Sequence, residues 1–320
     1  MNEHIYGIVP PVTTPFRPDN TIDEQALRAD ARYMVETAKV HGLAVTGSTG
    51  EGHTLTTDEV RRITGIVVEE VRGRVPVITG IITDSTESAI ERGRAVKDLG
   101  VAALQVTPPH YLFRPDDDAM LKNFDAIASQ TGLPVLIYNV VPWAYLSPQL
   151  LARILTTVPG VIGVKQSAGD MKMLADLLQL VGNRARIMSA VDALLYPSFV
   201  LGAHGAIAAI LTAVPTLCVQ LWNAAQAGDH KQALALHGKL LPIWNAIFHD
   251  NLPANVKCCM ELLGRSAGVP RPPMPATSER QAGPIRLALQ NAGLLWEDLR
   301  RMDSGRTRAA PTPIPWRDLP

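Results

Sequence analysis

Lys165 occupies the position in this chain that is best suited to covalent chemistry. It closes the apolar run Val161-Ile-Gly-Val-Lys165, whereas the other lysines lie in segments with helical periodicity. Burying an ammonium ion is costly, and a buried lysine is often a neutral amine that attacks a carbonyl carbon and forms a Schiff base. The position alone fits equally well a lysine whose ammonium reaches solvent or pairs with a carboxylate.

The loop Gly47-Ser48-Thr49-Gly50-Glu51-Gly52 follows another apolar run and could bind an anion. Glycines around two hydroxyl residues allow a tight turn whose backbone N–H groups converge, as binding a substrate carboxylate requires. The loop lacks the lysine of a phosphate-binding P-loop, which argues against nucleotide binding. Such turns also collect Gly, Ser and Thr for conformational reasons, so the motif alone does not establish a site.

Tyr138 closes a third apolar run, in Tyr138-Asn139-Val140. Its hydroxyl could relay protons to and from a Schiff base at the end of the strand. A tyrosine packed at the rim with its hydroxyl in water is the alternative. The company of Lys165 and Ser48 favours the catalytic interpretation.

Metal and disulfide chemistry have little support in the sequence. The eight histidines are scattered without a pair four residues apart, and no H-E-x-x-H occurs, so no metal site is predicted. Cys218, Cys258 and Cys259 match no zinc spacing, and the adjacent pair is poorly placed for a structural bridge. This cysteine usage favours a reducing, cytoplasmic location.

Composition predicts a globular protein with a small-molecule substrate. The 320 residues are 47% hydrophobic and 19% charged, which excludes a disordered chain. Thirty basic and thirty acidic side chains cancel, so no global field favours nucleic acid or an anionic membrane. The N-terminal segment lacks the features of a signal peptide, and the longest apolar runs are about half of the roughly 20 residues of a membrane helix.

Eight short apolar runs recur along the first two thirds of the chain, each followed by a segment with helical periodicity. Their continuous apolarity is typical of parallel strands that are covered on both faces. The runs begin at Ile5, Gly42, Pro76, Ala102, Pro134, Val161, Arg186 and Gly205. Eight strand–helix units predict a (β/α)8 TIM barrel over residues 1–214. A doubly wound open sheet is the rival, but no G-x-G-x-x-G follows the first strand.

Helix starts and a helical C-terminal extension complete the expected organisation. Capping boxes are predicted at Thr21 with Glu24 and at Thr56 with Glu59, and Ser147 before Pro148 is predicted as an N-cap. Residues 215–300 form the predicted helical extension, and the Pro- and Arg-rich residues 301–320 are expected to be a flexible tail or an arm on a neighbouring subunit. Asp116, Asp117 and Asp118 are interpreted as a helix start, and Trp222 and Trp244 as packing groups.

Several motifs occur together in an order that resembles the dihydrodipicolinate synthase and N-acetylneuraminate lyase family of Schiff-base barrel enzymes. The matching residues are Gly7, Thr14-Pro15-Phe16, Gly47-Ser-Thr-Gly-Glu51 with Glu59, Tyr138-Asn139, Gly163-Val-Lys165, Gly202-Ala-His-Gly205-Ala-Ile207 and Arg271-Pro-Pro273. They extend over residues 5 to 298.

The resemblance implies a metal-free lyase that needs no cofactor and joins pyruvate, or another 2-oxo acid, to an aldehyde, or cleaves such a product. Lys165 would form the imine, and Tyr138 would shuttle protons with the Ser48 hydroxyl. In the loop that begins at Gly47, the Ser48 and Thr49 amides would hold the substrate carboxylate, and the carbonyl of Ile207 would line the pocket. The family also implies a homotetramer, a dimer of dimers, in which Tyr111 reaches a neighbour's site.

The chain also departs from the family pattern. After Tyr138-Asn139 it has no arginine for the carboxylate of a second substrate, which disfavours a strict dihydrodipicolinate synthase. Trp143 and Tyr145 there suggest an apolar or aromatic distal pocket, and Arg114 is more simply a solvated loop residue.

Three alternatives stay open at this point. One is a 2-keto-3-deoxy sugar acid aldolase or dehydratase that uses the same imine chemistry. Another is a protein that binds 2-oxo acids without turnover, and the third is a metal-dependent barrel lyase.

Overall fold

A computed structural model describes residues 5–295, in which eight parallel strands form one sheet. The strands are β1 (Gly7–Ile8), β2 (Leu43–Val45), β3 (Val77–Ile81), β4 (Ala103–Val106), β5 (Val135–Asn139), β6 (Val161–Gln166), β7 (Arg186–Ser189) and β8 (Gly205–Ala206). From β2 to β8 each strand pairs with the next, and β8 pairs with β1. A parallel bridge between Pro11 and Ala44 closes the ring, which confirms the predicted barrel.

Helices alternate with these strands and cover them. They are α1 (Glu24–Glu36), α2 (Thr57–Val71), α3 (Thr86–Ala95), α4 (Asp117–Thr131), α5 (Pro148–Thr157), α6 (Met171–Val181), α7 (Leu195–Val200) and α8 (Ile210–Ala213). Because helices outside and side chains inside cover both faces of the sheet, the strands read as continuous apolar runs rather than alternating ones.

The C-terminal extension is helical, as expected. It comprises α9 (Pro215–Gln226), α10 (His230–Ile247), α11 (Leu252–Leu262) and α12 (Glu279–Asn291). It packs on the barrel through α9 against α7 and through α11 against α8. The predicted tail at 301–320 lies outside the described residues.

Two apolar clusters form the core. The smaller fills the inside of the ring, and its buried members are Ile5, Val9, Ala44, Ile78, Ala103, Leu136, Ile162, Met188 and Ile207. The larger lies between the strands and the surrounding helices.

A bulge in β6 decides which way Lys165 points. The β5–β6 register shifts by one residue, so β6 carries an extra residue. Ile162 lies in the interior cluster and Val164 in the outer one, and the side chain of Lys165 lines a cavity at the mouth of the ring. Ile162 and Lys165 therefore share a face although they are three residues apart, which strict alternation forbids. Gly163 allows this, since a Cβ there would lie 2.2 Å from the carbonyl oxygen of Arg186.

Two of the three predicted helix caps are confirmed. Thr56 and Glu59 form a reciprocal capping box, and Ser147 caps α5. The box at Thr21 and Glu24 is wrong, because α1 begins at Glu24 and Asp23 supplies the capping oxygen to the Ala26 N–H at 3.1 Å. The carboxylate next to the helix start reaches its N–H groups directly, whereas the Thr21 hydroxyl donates to Asp19. At α4, Asp116 is the N-cap of the expected helix start.

Candidate active site at the mouth of the barrel

A cavity of about 670 Å³ lies at the carboxyl ends of the strands. In barrels of this kind, catalytic groups are carried at that end. Five residues predicted for the site line this cavity, namely Ser48, Thr49, Tyr138, Lys165 and Ile207. They follow or end β2, β5, β6 and β8, so the closing of the ring brings them together.

Lys165 and Tyr138 form the centre of the site. They are register partners on β5 and β6, so their side chains leave the same face of the sheet side by side. Both are buried, and the Lys165 Nζ lies 3.8 Å from the centroid of the Tyr138 ring. Within residues 5–295 no carboxylate lies within ion-pair distance of Lys165. From this position the amine can attack the carbonyl carbon of a substrate that enters the cavity.

Ser48 connects the Gly47–Gly52 loop to this pair. The Tyr138 hydroxyl donates a hydrogen bond to the Ser48 Oγ at 3.0 Å. Two hydroxyl groups in contact beside an amine can pass a proton between a substrate atom and solvent. The arrangement therefore joins β5 and the loop after β2 in one chain of hydroxyls.

The backbone of the loop is held in an unusual shape. Thr46, directly before the loop, and Glu51, within it, have φ of 56° and 57°, a left-handed conformation that is costly for residues other than glycine. The Thr14 hydroxyl donates to the Gly50 carbonyl at 2.7 Å, and the Thr46 hydroxyl to the Gly80 carbonyl at 2.8 Å. The predicted residue Gly47 is outside the cavity lining and packs on Gly80, where a Cβ would lie 2.8 Å from the Gly47 nitrogen.

Tyr111 is not brought into the cavity of its own chain. Tyr111 is 69% exposed, and its backbone N–H donates a hydrogen bond to the Asp84 carboxylate at 2.9 Å. Leu112, Phe113 and Trp143 beside it are also exposed. Arg114 pairs with a helix-start aspartate and lines no part of the cavity, as expected for a loop arginine.

The aromatic wall of the cavity differs from the expected one. Trp143 is exposed and donates its indole N–H to the His110 carbonyl, so the expectation for this residue is wrong. Trp244 and Phe248 line the cavity instead, with ring centroids 4.9 Å apart. Both come from the end of α10, more than 100 residues along the chain, which no local pattern indicates. Trp222 packs against Phe199, as expected of a packing group.

Asp192 is a functional candidate that sequence reasoning missed. It lines the cavity just after β7, and its carboxylate accepts a hydrogen bond from the Ile210 N–H at 2.7 Å. Burial raises the pKa of this carboxyl to about 6, although the hydrogen bond and the charge of Lys165 oppose the shift. Its place at the end of a barrel strand was the signal that could have found it.

The described residues give no grouping of three or more His, Cys, Asp or Glu side chains close enough to hold a metal ion. None of the described helices combines the length and apolarity needed to span a bilayer.

Comparisons with known proteins agree on one family. The sequence model of the dihydrodipicolinate synthetase family matches residues 4–292. A 4-hydroxy-tetrahydrodipicolinate synthase of Methanopyrus kandleri is 34% identical over 300 residues, which are 93% of this chain and 99% of the relative.

Solved structures extend the same likeness. The E. coli K12 prophage protein YagE, of the dihydrodipicolinic acid synthase family and solved in complex with pyruvate, superposes with a TM-score of 0.86 at 26% identity, over 91% of this chain and 99% of that one. N-acetylneuraminate lyase from Fusobacterium nucleatum superposes with a TM-score of 0.83 at 26% identity, again over 91% and 99%. The chain is therefore a barrel lyase that belongs to the dihydrodipicolinate synthetase family.

Proposed function

We propose that this lyase forms a Schiff base between the Lys165 Nζ and the carbonyl carbon of a 2-oxo acid, pyruvate being the simplest. The observation that carries the proposal is the buried Lys165 amine above the Tyr138 ring, whose hydroxyl contacts Ser48 in the same cavity. The pyruvate complex of the E. coli relative supports it.

The Schiff base forms in two steps. After giving up a proton, the Lys165 amine attacks C2 of the 2-oxo acid, and the resulting carbinolamine loses one water to give an iminium ion. The Tyr138 and Ser48 hydroxyls deliver a proton to the carbinolamine hydroxyl group, which then leaves as water. The Ser48 and Thr49 amides hold the substrate carboxylate, and the Ile207 carbonyl borders the same space.

The iminium ion then serves as the electron sink. The Tyr138 and Ser48 hydroxyls carry a proton away from C3, which gives an enamine. C3 of the enamine attacks the aldehyde carbon to form the carbon–carbon bond, and the same hydroxyls return a proton to the aldehyde oxygen. Water hydrolyses the product iminium and frees Lys165. No external oxidant, reductant or cofactor is needed, since the nitrogen accepts the electron pair and returns it. Run in reverse, the same steps cleave a 4-hydroxy-2-oxo acid.

Borohydride trapping tests the Schiff base directly. The wild-type protein incubated with pyruvate and borohydride should gain the mass of one pyruvic acid less one oxygen atom, because the imine loses water and gains two hydrogens. An unchanged mass with pyruvate and with other 2-oxo acids would contradict the proposal and favour a non-catalytic binder.

The lining of the cavity favours a neutral, hydroxylated aldehyde and so a 2-keto-3-deoxy sugar acid as the product or substrate. Asp192 and Asp250 line the cavity together with Trp244 and Phe248, and no arginine is among the described lining residues. Carboxylates accept hydrogen bonds from sugar hydroxyls but repel an aldehyde that carries a carboxylate. The enamine of such a sugar acid can also expel a hydroxyl group from C4, which gives the dehydratase reaction.

We therefore expect glyceraldehyde to be preferred over an aldehyde with a carboxylate, and the preference to weaken as the pH falls. Asp192 has a pKa of about 6, so it is charged above that pH and neutral below it. The ratio of the two kcat/KM values isolates this effect, because the imine steps are common to both aldehydes. Other ionisable side chains, such as that of His53, also line the cavity, so the same pH series is run on Asp192→Asn as the control. If the ratio of the two kcat/KM values depends on pH equally strongly in Asp192→Asn, a group other than Asp192 causes the effect.

We further propose that the protein is a homotetramer built from dimers and that Tyr111 completes a neighbour's site. Tyr111, Leu112, Phe113 and Trp143 form an exposed apolar patch beside the barrel mouth. Patches of this kind mark interaction surfaces.

Mixing of subunits tests the role of Tyr111. We expect Tyr111→Phe to lower kcat by about 10²- to 10⁴-fold, because a proton-carrying hydroxyl is lost. In an equal mixture with Lys165→Ala, half of the random dimers contain both variants, and one of the two sites in each such dimer has Lys165 together with the neighbour's Tyr111. Co-refolding should therefore restore activity to about a quarter of the sites. No recovery, or a monomer in sedimentation velocity, would show that Tyr111 does not act across an interface.

A further inference from the structure

Glu51, at the end of the Gly47–Gly52 loop, is a buried charge that the proposed chemistry does not use. Its side chain is 0% exposed, and its backbone is left-handed, as is that of Thr46 directly before the loop. Non-glycine residues keep such a conformation only where their surroundings hold them in it. The contacts of Glu51 therefore decide whether the loop keeps its shape.

Both carboxylate oxygens of Glu51 are held by the C-terminal extension. The Lys257 Nζ on α11 lies 2.6 Å from Oε1, and the Lys257 side chain is only 2% exposed. The backbone N–H of Arg271 donates to Oε2 at 2.8 Å. Lys257 also donates to the Val269 carbonyl at 2.7 Å, so α11 and the segment after it bind the loop as one unit.

Arg271 strengthens this attachment on the other side of the loop. Its guanidinium group makes two hydrogen bonds to Glu59 at the start of α2, at 2.6 and 3.0 Å, and one to the Thr54 carbonyl at 3.1 Å. It also lies 4.1 Å from the centroid of the Phe16 ring. The residues that follow the loop are thereby fixed to the same segment.

Charge gives the Glu51–Lys257 pair a second consequence. Glu51 lies two residues after Thr49, whose amide is proposed to hold the substrate carboxylate. A buried carboxylate without a partner would repel that anion through a poorly screened interior. The ammonium group of Lys257, 2.6 Å from the Glu51 carboxylate, offsets this repulsion.

We propose that Lys257 is a positioning residue for substrate binding: through Glu51 it fixes the Gly47–Gly52 loop in the shape that accepts the carboxylate of the 2-oxo acid. Lys257 is not among the described residues that line the cavity, so the expected effect of its loss is on binding and not on the bond-forming step. This inference rests on the proposed Schiff-base function.

The test measures borohydride trapping in the full chain against pyruvate concentration. Lys257→Met should raise the pyruvate concentration for half-maximal trapping by about 10- to 100-fold, because one ion-pair partner of a buried charge is lost. At saturating pyruvate the same adduct on Lys165 should still form.

Arg265→Met is the matched control. Arg265 belongs to the same extension and forms a comparably buried ion pair, 3.1 Å from Asp30, with side chains 7% and 4% exposed. That pair joins the extension to α1 and does not contact the loop, so its loss should leave half-saturation within about twofold of wild type.

Two outcomes would overturn the inference: unchanged half-saturation in Lys257→Met, or an equal shift in both variants, which would indicate general destabilisation. If Lys257→Met does not fold, Lys257→Gln replaces it: its amide can still donate a hydrogen bond but carries no charge, so a smaller shift in the same direction is expected, and an unchanged half-saturation would contradict the inference. Absence of any adduct in the wild type would instead contradict the Schiff-base proposal itself.

Discussion

The Lys165→Ala protein should form no borohydride adduct with pyruvate and should lose at least about 10³-fold in kcat, since covalent catalysis depends on the amine. Its fold should survive, because the substitution removes a buried amine that has no ion-pair partner within residues 5–295. Intact mass spectrometry and single-turnover kinetics with the preferred aldehyde measure the two effects. A thermal melt checks that stability is kept.

Lys172→Ala is the control for this variant. The Lys172 side chain is 77% exposed and pairs with Asp176 on the surface of α6, so its removal should change neither trapping nor turnover. An adduct that persists in Lys165→Ala would assign the imine to another lysine. Turnover that persists in Lys165→Ala and is abolished by a chelator would support the metal-dependent lyase instead.

Replacing Tyr138 by Phe should slow enamine formation by about 10²- to 10⁴-fold, the usual contribution of a positioned proton carrier. The phenyl ring keeps its place under the Lys165 amine, so packing is conserved and only the hydroxyl is lost. The direct measurement is the exchange of the pyruvate methyl protons for deuterium, followed by NMR in heavy water. This exchange reports loss of the C3 proton without any aldehyde.

Ser48→Ala provides the comparison for Tyr138. Since the two hydroxyls are in contact at 3.0 Å, they should act as one unit, and the double variant should be little slower than Tyr138→Phe alone. Exchange in Tyr138→Phe within about threefold of wild type would remove Tyr138 from the proton path. Fully additive effects would show that Ser48 acts on its own.

Some of the structural features behind these predictions can be predicted from the sequence, and others cannot. The barrel follows from local patterns: apolar runs of strand length, caps such as Thr56 with Glu59, and helical periodicity between the runs. Each signal reflects nearby residues, because strand burial and helix capping are short-range effects. Lys165 and Tyr138 were found in the same way, as polar residues that close apolar strands.

The error at Thr21 and the Trp143 expectation show where short-range reasoning fails. Asp23 and Thr21 both suit a helix start, and only the exact first residue of α1 decides between them. Trp143 lies near the site in sequence, but the chain turns its ring outward toward His110.

Residue types, periodicity and motif order in the sequence alone determined the family, the barrel and the lysine that we propose forms the imine. The tertiary structure alone showed the bulge that turns Lys165 inward, the cavity wall of Trp244, Phe248 and Asp192, and the pairing of Glu51 with Lys257, 206 residues away. The physical reason is that these features join groups from distant segments, and their distances and burial arise only when the ring closes and the C-terminal helices pack on it. No local preference of the chain encodes such contacts.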